Sequence, residues 1–253
     1  MRRYELYVFD LDGVLYRGNS PIPGAADALR PLRDQGSTVR FMTNNSTLTR
    51  KAFADKLNEM GFEARPTEIY TSAAGAAIAL AGASVFMVGE EGLVEELREM
   101  GCRIVGDEAS DWVVVGACLG LTYAMIDEAQ WRIRQGARFM ATNLDPTYPV
   151  EGCRLKPGAG AMVAAIATAA GKYPEITIGK PEPTLVRMIW AETEISPDET
   201  LVVGDRLDTD IECAARAGCD SALVLTGEIS KVDLKTAKQP PTYICADVGE
   251  IVK

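Results

Sequence analysis

Short apolar segments alternate with longer amphipathic segments along the chain. The short segments are rich in β-branched and aromatic residues, which is typical of buried strands. The longer segments repeat apolar residues every three or four positions, which is typical of helices. The predicted strands cover residues 4–9, 38–42, 85–88, 112–117, 138–141, 176–178, 201–203 and 222–225. The predicted helices cover residues 25–35, 91–100, 123–135, 159–170, 184–194 and 209–217, and one more runs to Met60 after a cap at Ser46 or Thr47.

This alternation predicts the fold class. Parallel strands need long crossover connections, which are usually helices. The sequence therefore predicts an α/β protein with a doubly wound parallel sheet and helices on both faces. Ligands of such sheets bind beyond the carboxyl ends of the strands, so the residues that follow each strand are the first functional candidates.

Composition excludes several kinds of chemistry. The 253 residues are 47% hydrophobic and 25% charged, as in ordinary globular proteins, and they include no histidine. Ser-His-Asp hydrolysis, phosphohistidine chemistry and His-ligated zinc are therefore excluded. The six cysteines form no C-x-x-C pair, so zinc ribbons and thioredoxin-like chemistry are not expected. A general acid or base must be a carboxylate, Lys, Tyr or Cys.

The net charge of −10 comes from 26 basic and 36 acidic residues. Such a chain is a poor binder of nucleic acid or of anionic membranes, so neither is an expected partner. The N-terminal apolar segment meets Asp10 too early for a signal peptide, and the expected location is the cytoplasm. A phosphate-binding site would need local positive charge from a metal ion or a lysine.

Acidic residues follow two predicted strands. Asp10 and Asp12 come directly after the first strand, and Gly204-Asp205 ends the strand at 201–203, with Asp210 close behind. Carboxylates at two neighbouring strand ends favour a shared site for a hard cation such as Mg²⁺. The alternative is that these aspartates only cap turns and helices, which is a common role.

Two further strand ends carry polar groups. Thr43-Asn44-Asn45 follows the strand at 38–42, just before a helix, where a hydroxyl and backbone N–H groups can bind an anion. Lys180 follows the strand at 176–178 and offers a positive charge. Taken singly, Thr43 could be part of a local turn and Lys180 a solvated surface residue. Their shared position at strand ends favours function.

These four segments together resemble the motifs of the haloacid dehalogenase (HAD) superfamily of aspartate-nucleophile phosphohydrolases. The resemblance implies a Rossmann-like HAD core. Only 33 positions separate Asp10 from Thr43, whereas 137 separate Thr43 from Lys180, so a domain fits only in the second interval. This spacing resembles the C2-capped members, with a core at 1–78 and 178–253 and an inserted α/β cap at 79–177. Segments 142–146 and 155–161 resemble the NagD-type, class IIA group, which includes p-nitrophenyl phosphatases, nucleotidases and phosphoglycolate phosphatases.

The resemblance also implies a role for each residue. Asp10 would be the nucleophile that forms an aspartyl-phosphate. Asp12 would protonate the leaving alcohol, and its closeness to Asp10 should raise the proton affinity of the pair. Mg²⁺ would be held by Asp10, the backbone carbonyl of Asp12, and Asp205. Asp210 would orient a metal-bound water or Lys180. The phosphate-binding residues would be Thr43, Asn44, Asn45 and Lys180.

The predicted function is Mg²⁺-dependent hydrolysis of a small phosphorylated metabolite, with p-nitrophenyl phosphate as an expected artificial substrate. The sequence leaves sugar phosphates, nucleotides, phosphoglycolate and pyridoxal phosphate open as substrates. The family suggests a homodimer formed through the cap. Two alternatives are a catalytically silent binding protein with the HAD fold and a phospho-accepting regulatory module.

Overall fold

The computed structural model describes residues 1–150, 154–227 and 239–252. Its strands are β1 (Leu6–Phe9), β2 (Tyr16–Arg17), β3 (Ser20–Pro21), β4 (Thr38–Thr43), β5 (Ile69–Thr71), β6 (Ser84–Val88), β7 (Arg103–Ile104), β8 (Trp112–Val115), β9 (Arg138–Ala141), β10 (Thr147–Val150), β11 (Arg154–Pro157), β12 (Ile176–Thr177), β13 (Thr200–Gly204), β14 (Asp220–Val224) and β15 (Tyr243–Cys245). Its α-helices are α1 (Ala25–Asp34), α2 (Arg50–Glu59), α3 (Ser72–Ala79), α4 (Glu91–Glu99), α5 (Tyr123–Arg134), α6 (Ala159–Ala170), α7 (Thr184–Thr193) and α8 (Glu212–Ala217). Short 3₁₀ turns lie at Pro66–Glu68, Pro197–Glu199 and Val248–Glu250.

The chain forms two compact units. The first comprises Met1–Thr43, Phe53–Tyr70 and Lys180–Lys253, and the second comprises Asn44–Ala52 and Thr71–Gly179. Each unit has its own sheet. The predicted boundaries of a core and a cap, after residues 78 and 177, remain predictions.

The sheet of the first unit has the strand order β15-β14-β13-β1-β4-β5. β1 pairs in parallel with β13 and with β4, and Phe9 lies opposite both Val203 and Phe41. The carboxyl ends of β1, β4 and β13 therefore reach the same edge of the sheet. The predicted α/β fold with a parallel sheet is confirmed.

Burial explains why β1 is apolar throughout. Its four residues point alternately to the two faces of the sheet and are at most 2% exposed, so both faces are covered at this strand. On α1 the buried residues are Ala25, Ala28, Leu29 and Leu32, the spacing of one helical face. This helix continues through Pro31.

The sheet of the second unit has the order β12-β9-β8-β6-β7, with β8 parallel to both β6 and β9. Helices α5 and α6 contribute Ala129, Ile133, Val163 and Ile166 to a core against this sheet. Strands β10 and β11 pair antiparallel with each other and lie outside this sheet.

The structure corrects two predicted helix starts. Helix α2 begins at Arg50, because Asn45 Oδ1 accepts the Thr47 N–H in a turn and Thr49 Oγ1 accepts the Ala52 N–H. The helix predicted from residue 209 is preceded by a π-helical turn at Leu207–Ile211 and becomes α-helical only at Glu212. Within the described residues, no helix combines the length and the apolar character needed to cross a bilayer.

Candidate active site

Three strand ends of the first unit place acidic and polar side chains at one edge of its sheet. Asp10 directly follows β1, and its N–H donates to the carbonyl of Val203 at 2.8 Å. This bond extends the pairing with β13 by one residue and fixes the Asp10 backbone beside Asp205, which follows Gly204 at the end of β13. Asp10 and Asp205 are both buried, at 8% and 6% exposed.

Two glycines allow the acidic groups to approach the backbone. A methyl group at Gly204 would lie 2.1 Å from Cβ of Asp210, and one at Gly13 would lie 2.3 Å from Oδ2 of Asp205. Gly13 also has a φ of +81°, which an L side chain rarely adopts. Glycine at positions 13 and 204 therefore leaves room for the carboxylates, and Gly13 also permits the turn.

The acidic cluster consists of Asp10, Asp205 and Asp210, from each of which one carboxylate oxygen lies within 4.8 Å of those of the other two. Lys180 donates hydrogen bonds to Oδ1 of Asp10 and, at 2.6 Å, to Oδ1 of Asp210. Lys180 is itself 3% exposed. The cluster thus brings three carboxylates together around one ammonium group.

Burial makes this charge arrangement costly. It raises the pKa of Asp10 to about 7, against the opposing effect of Lys180. Burial, with Asp210 and Asp10 nearby, raises the pKa of Asp205 to about 8. Burial alone would lower the pKa of Lys180, but Asp10 and Asp210 outweigh it and raise that pKa well above its usual value. The ammonium group therefore stays charged, whereas Asp10 and Asp205 bind protons more readily than exposed aspartates do.

These residues fit a divalent cation. Three hard oxygen donors converge on one buried point, and a single lysine leaves their combined charge uncompensated. Burial raises the pKa values of Asp10 and Asp205, and Lys180 offsets this effect only in part. A Mg²⁺ ion, which prefers a few carboxylates and keeps several waters, would supply further positive charge.

Asp12 lies beside the cluster in a different environment. The Tyr16 hydroxyl and the Lys56 ammonium both favour its charged form, and the ammonium lies 4.0 Å from the centre of the Tyr16 ring. The pKa of Asp12 is raised, as expected for a general acid. The main cause is burial, which Lys56 partly opposes, and not the closeness of Asp10 that the sequence suggested.

The structure also places the predicted phosphate-binding residues. Thr43 is buried at the end of β4, next to β1. Asn44 and Asn45 belong to the second unit. The Asn44 side-chain amide donates to Asp145 at 2.9 Å, and Asn45 Oδ1 accepts the N–H and the hydroxyl of Thr47. Both asparagine side chains therefore have structural partners, and their contact with phosphate remains a prediction.

Sequence reasoning missed four residues around this cluster: Tyr16, Lys56, Thr226 and Gly227. Thr226 and Gly227 directly follow the predicted strand at 222–225. They could have been found, because ligands of parallel sheets bind beyond the carboxyl ends of the strands. Tyr16 and Lys56 gave no such signal, because their role depends on a turn and a helix folding against each other.

Comparison with known proteins identifies the family. A family model described as haloacid dehalogenase-like hydrolase matches residues 7–103, and a second HAD-like hydrolase model matches residues 177–251. The acid sugar phosphatase of Staphylococcus saprophyticus is 37% identical over 100% of this chain and 98% of its own. The chain belongs to the haloacid dehalogenase-like hydrolase family. The family predicted from the four motifs is thereby confirmed.

Solved structures of this family agree with the fold. The 4-nitrophenylphosphatase of Thermotoga maritima superimposes with a TM-score of 0.93 and 31% identity, covering 98% of this chain and 96% of its own. The glycerol phosphate phosphatase of Mycobacterium tuberculosis, solved in complex with magnesium, gives a TM-score of 0.90 and 40% identity, covering 97% of this chain and 76% of its own. All three relatives are phosphatases, which supports the predicted enzyme class, a phosphomonoester hydrolase.

Proposed function

We propose that this HAD-family chain hydrolyses the phosphate esters of small metabolites in a Mg²⁺-dependent reaction, with Asp10 as the nucleophile. The observation that carries the proposal is the buried cluster of Asp10, Asp205 and Asp210 around Lys180. Relatives named acid sugar phosphatase, 4-nitrophenylphosphatase and glycerol phosphate phosphatase support small phosphorylated substrates. Magnesium in the last of these supports the ion.

In the first step an Asp10 carboxylate oxygen attacks phosphorus, and the bond from phosphorus to the ester oxygen breaks. Lys180 donates to Oδ1 of Asp10, so we assign the attack to Oδ2. Asp12 gives its proton to the departing oxygen, which leaves as an alcohol. Burial favours the protonated form of Asp12 that this step needs.

In the second step a water molecule attacks the aspartyl-phosphate. Asp12, now ionised, takes a proton from that water, inorganic phosphate leaves, and both carboxyl groups return to their initial states. Lys180 and Thr43 would stabilise the negative charge on the phosphoryl oxygens. Asp10, the backbone carbonyl of Asp12, and Asp205 would hold Mg²⁺, which supplies further positive charge for the phosphoryl group.

The second unit carries the remaining proposals. We assign to it the predicted C2-type cap, with the predicted bounds 79–177 lying inside Thr71–Gly179. A homodimer formed through that cap stays a prediction, as does a cytoplasmic location.

The decisive experiment compares D10N with D27N, which makes the same chemical change on an exposed face of α1. Release of phosphate from p-nitrophenyl phosphate and from a panel of sugar and glycerol phosphates is measured with Mg²⁺ and with a chelator. We expect D10N to lose more than 99% of turnover and D27N to match the wild type. A wild type that becomes phosphorylated once and then stops would favour the phospho-accepting module instead. Appreciable turnover by D10N would exclude Asp10 as the nucleophile.

A further inference from the structure

The segment that follows β14 packs against the Asp205 carboxylate. A methyl group at Gly227 would lie 1.9 Å from Oδ2 of Asp205 and 2.5 Å from its Cγ. Real side chains do not tolerate such distances, so any larger residue at this position would displace the carboxylate. The backbone of Gly227 therefore forms one wall of the site that holds Asp205.

Gly13 forms a second wall. A methyl group there would lie 2.3 Å from the same Oδ2 of Asp205 and 2.7 Å from its Cγ. The backbone at Gly13 and the backbone at Gly227 thus confine the Asp205 carboxylate from two sides. Steric contact of this kind restrains the Asp205 side chain whatever its protonation state.

Thr226 links the two walls. Its hydroxyl donates to the Gly13 carbonyl at 2.6 Å, and its own carbonyl accepts a hydrogen bond from the Arg17 guanidinium. The Leu225 N–H donates to the Cys245 carbonyl at 3.0 Å, which attaches the start of this segment to β15. The spacing between Gly13 and Gly227 therefore depends on a few specific hydrogen bonds.

We propose that Thr226 and Gly227 are positioning residues for Asp205, and that they set the affinity of the site for its divalent cation. Confinement restricts the rotamers of Asp205 before the ion arrives, so less side-chain freedom is lost on binding. Groups that orient a metal ligand in this way commonly change affinity 10- to 100-fold when they are removed. The inference rests on the proposed function in one respect, namely that this cluster binds Mg²⁺.

The test is a calorimetric titration of the full chain with Mg²⁺ alone, without substrate. T226V removes the hydroxyl and keeps the shape, T226S retains the hydroxyl, and G227A adds the methyl group. T242V is the matched control, because Thr242 donates to Asp220 at the other end of β14, at 2.8 Å. Urea unfolding of each chelated variant verifies that it folds.

We expect the Mg²⁺ dissociation constant to rise about 10-fold in T226V and at least as much in G227A. T226S and T242V should stay within about 2-fold of the wild type, since neither disturbs the contact with Gly13. Wild-type affinity in T226V would overturn the role of Thr226, and wild-type affinity in G227A would overturn that of Gly227. A wild type that binds no Mg²⁺ would contradict the proposed function instead.

Discussion

Replacing Lys180 by methionine should destabilise the metal-free protein strongly and in a pH-dependent way. Lys180 is 3% exposed and pairs with two buried carboxylates, Asp10 and Asp210. Methionine keeps much of the side-chain volume and removes the charge. The variant leaves the buried carboxylates without this partner, and removing one member of a buried ion pair costs about 3–5 kcal/mol.

The pH dependence follows from proton binding. In the metal-free wild type the pKa values of Asp10 and Asp205 are about 7 and about 8, whereas an unfolded aspartate titrates near pH ~3.9. The native state therefore binds more protons than the unfolded chain between about pH 4 and about pH 8, and its stability falls as pH rises. Lys180 lowers both pKa values, so K180M raises them and binds still more protons.

The cost of K180M relative to the wild type should thus grow with pH. Each additional proton bound by the native variant adds up to about 1.4 kcal/mol per pH unit. Urea unfolding with a chelator present, at about pH 6 and about pH 8.5, measures the free energies of unfolding at both ends of this range.

R216M is the matched control. Arg216 also pairs with two carboxylates, Glu182 at 2.5 Å and Glu212 at 2.9 Å, but its side chain is 41% exposed. We expect R216M to cost no more than about 1 kcal/mol at either pH. If K180M cost no more than R216M, or cost the same at both pH values, the account of the buried cluster would be wrong.

Three further predictions concern this cluster and Asp12 beside it. D12A should slow hydrolysis of alkyl phosphates more than that of p-nitrophenyl phosphate, whose leaving group needs little protonation, and equal losses would contradict the general-acid role. Mg²⁺ must displace protons from Asp10 and Asp205, whose pKa values are about 7 and about 8, so its affinity should rise from about pH 6 to about pH 8.5; a titration showing no change would contradict this. G204A should push Asp210 away from Lys180 and weaken Mg²⁺ binding by about 10-fold in calorimetry, because the added methyl group would lie 2.1 Å from Cβ of Asp210.

The sequence predicted the part of the site that depends on strand ends. β1, β4 and β13 have strong apolar patterns, and parallel pairing brings their carboxyl ends to one edge. Asp10 and Asp205 therefore lie together, as predicted, and Thr43 ends the strand next to β1. The apolar pattern of the strands and the topology of a parallel sheet are sufficient to predict this placement.

The sequence did not predict what depends on local competition between turns and helices. Helix α2 was expected from residue 46 or 47, but Asn45 and Thr49 satisfy backbone N–H groups in a turn and delay its start to Arg50. β15 has only three residues and takes its place by pairing with β14, so it has no pattern of its own. The position of such a strand depends on the strand with which it pairs.

The contacts around the cluster could not be predicted from the sequence either. Tyr16 reaches Asp12 because the turn that follows Asp10 folds back, with the Gly13 N–H donating to the Tyr16 carbonyl at 2.8 Å. Lys56 reaches the Tyr16 ring from α2. Neither contact follows from sequence spacing, since each requires two elements to pack in one particular way.

Catalysis and burial favour different protonation states of the cluster. Catalysis needs ionised carboxylates beside a lysine, whereas burial without an ion favours protonated ones, as the pKa values of Asp10 and Asp205 indicate. Close backbone packing at Gly13 and Gly204 provides a restraint that does not depend on protonation, because steric contact acts equally on the acid and on the carboxylate. A cation that replaces the protons then meets ligands already near their final positions, and its binding energy adds to the stability of the native fold.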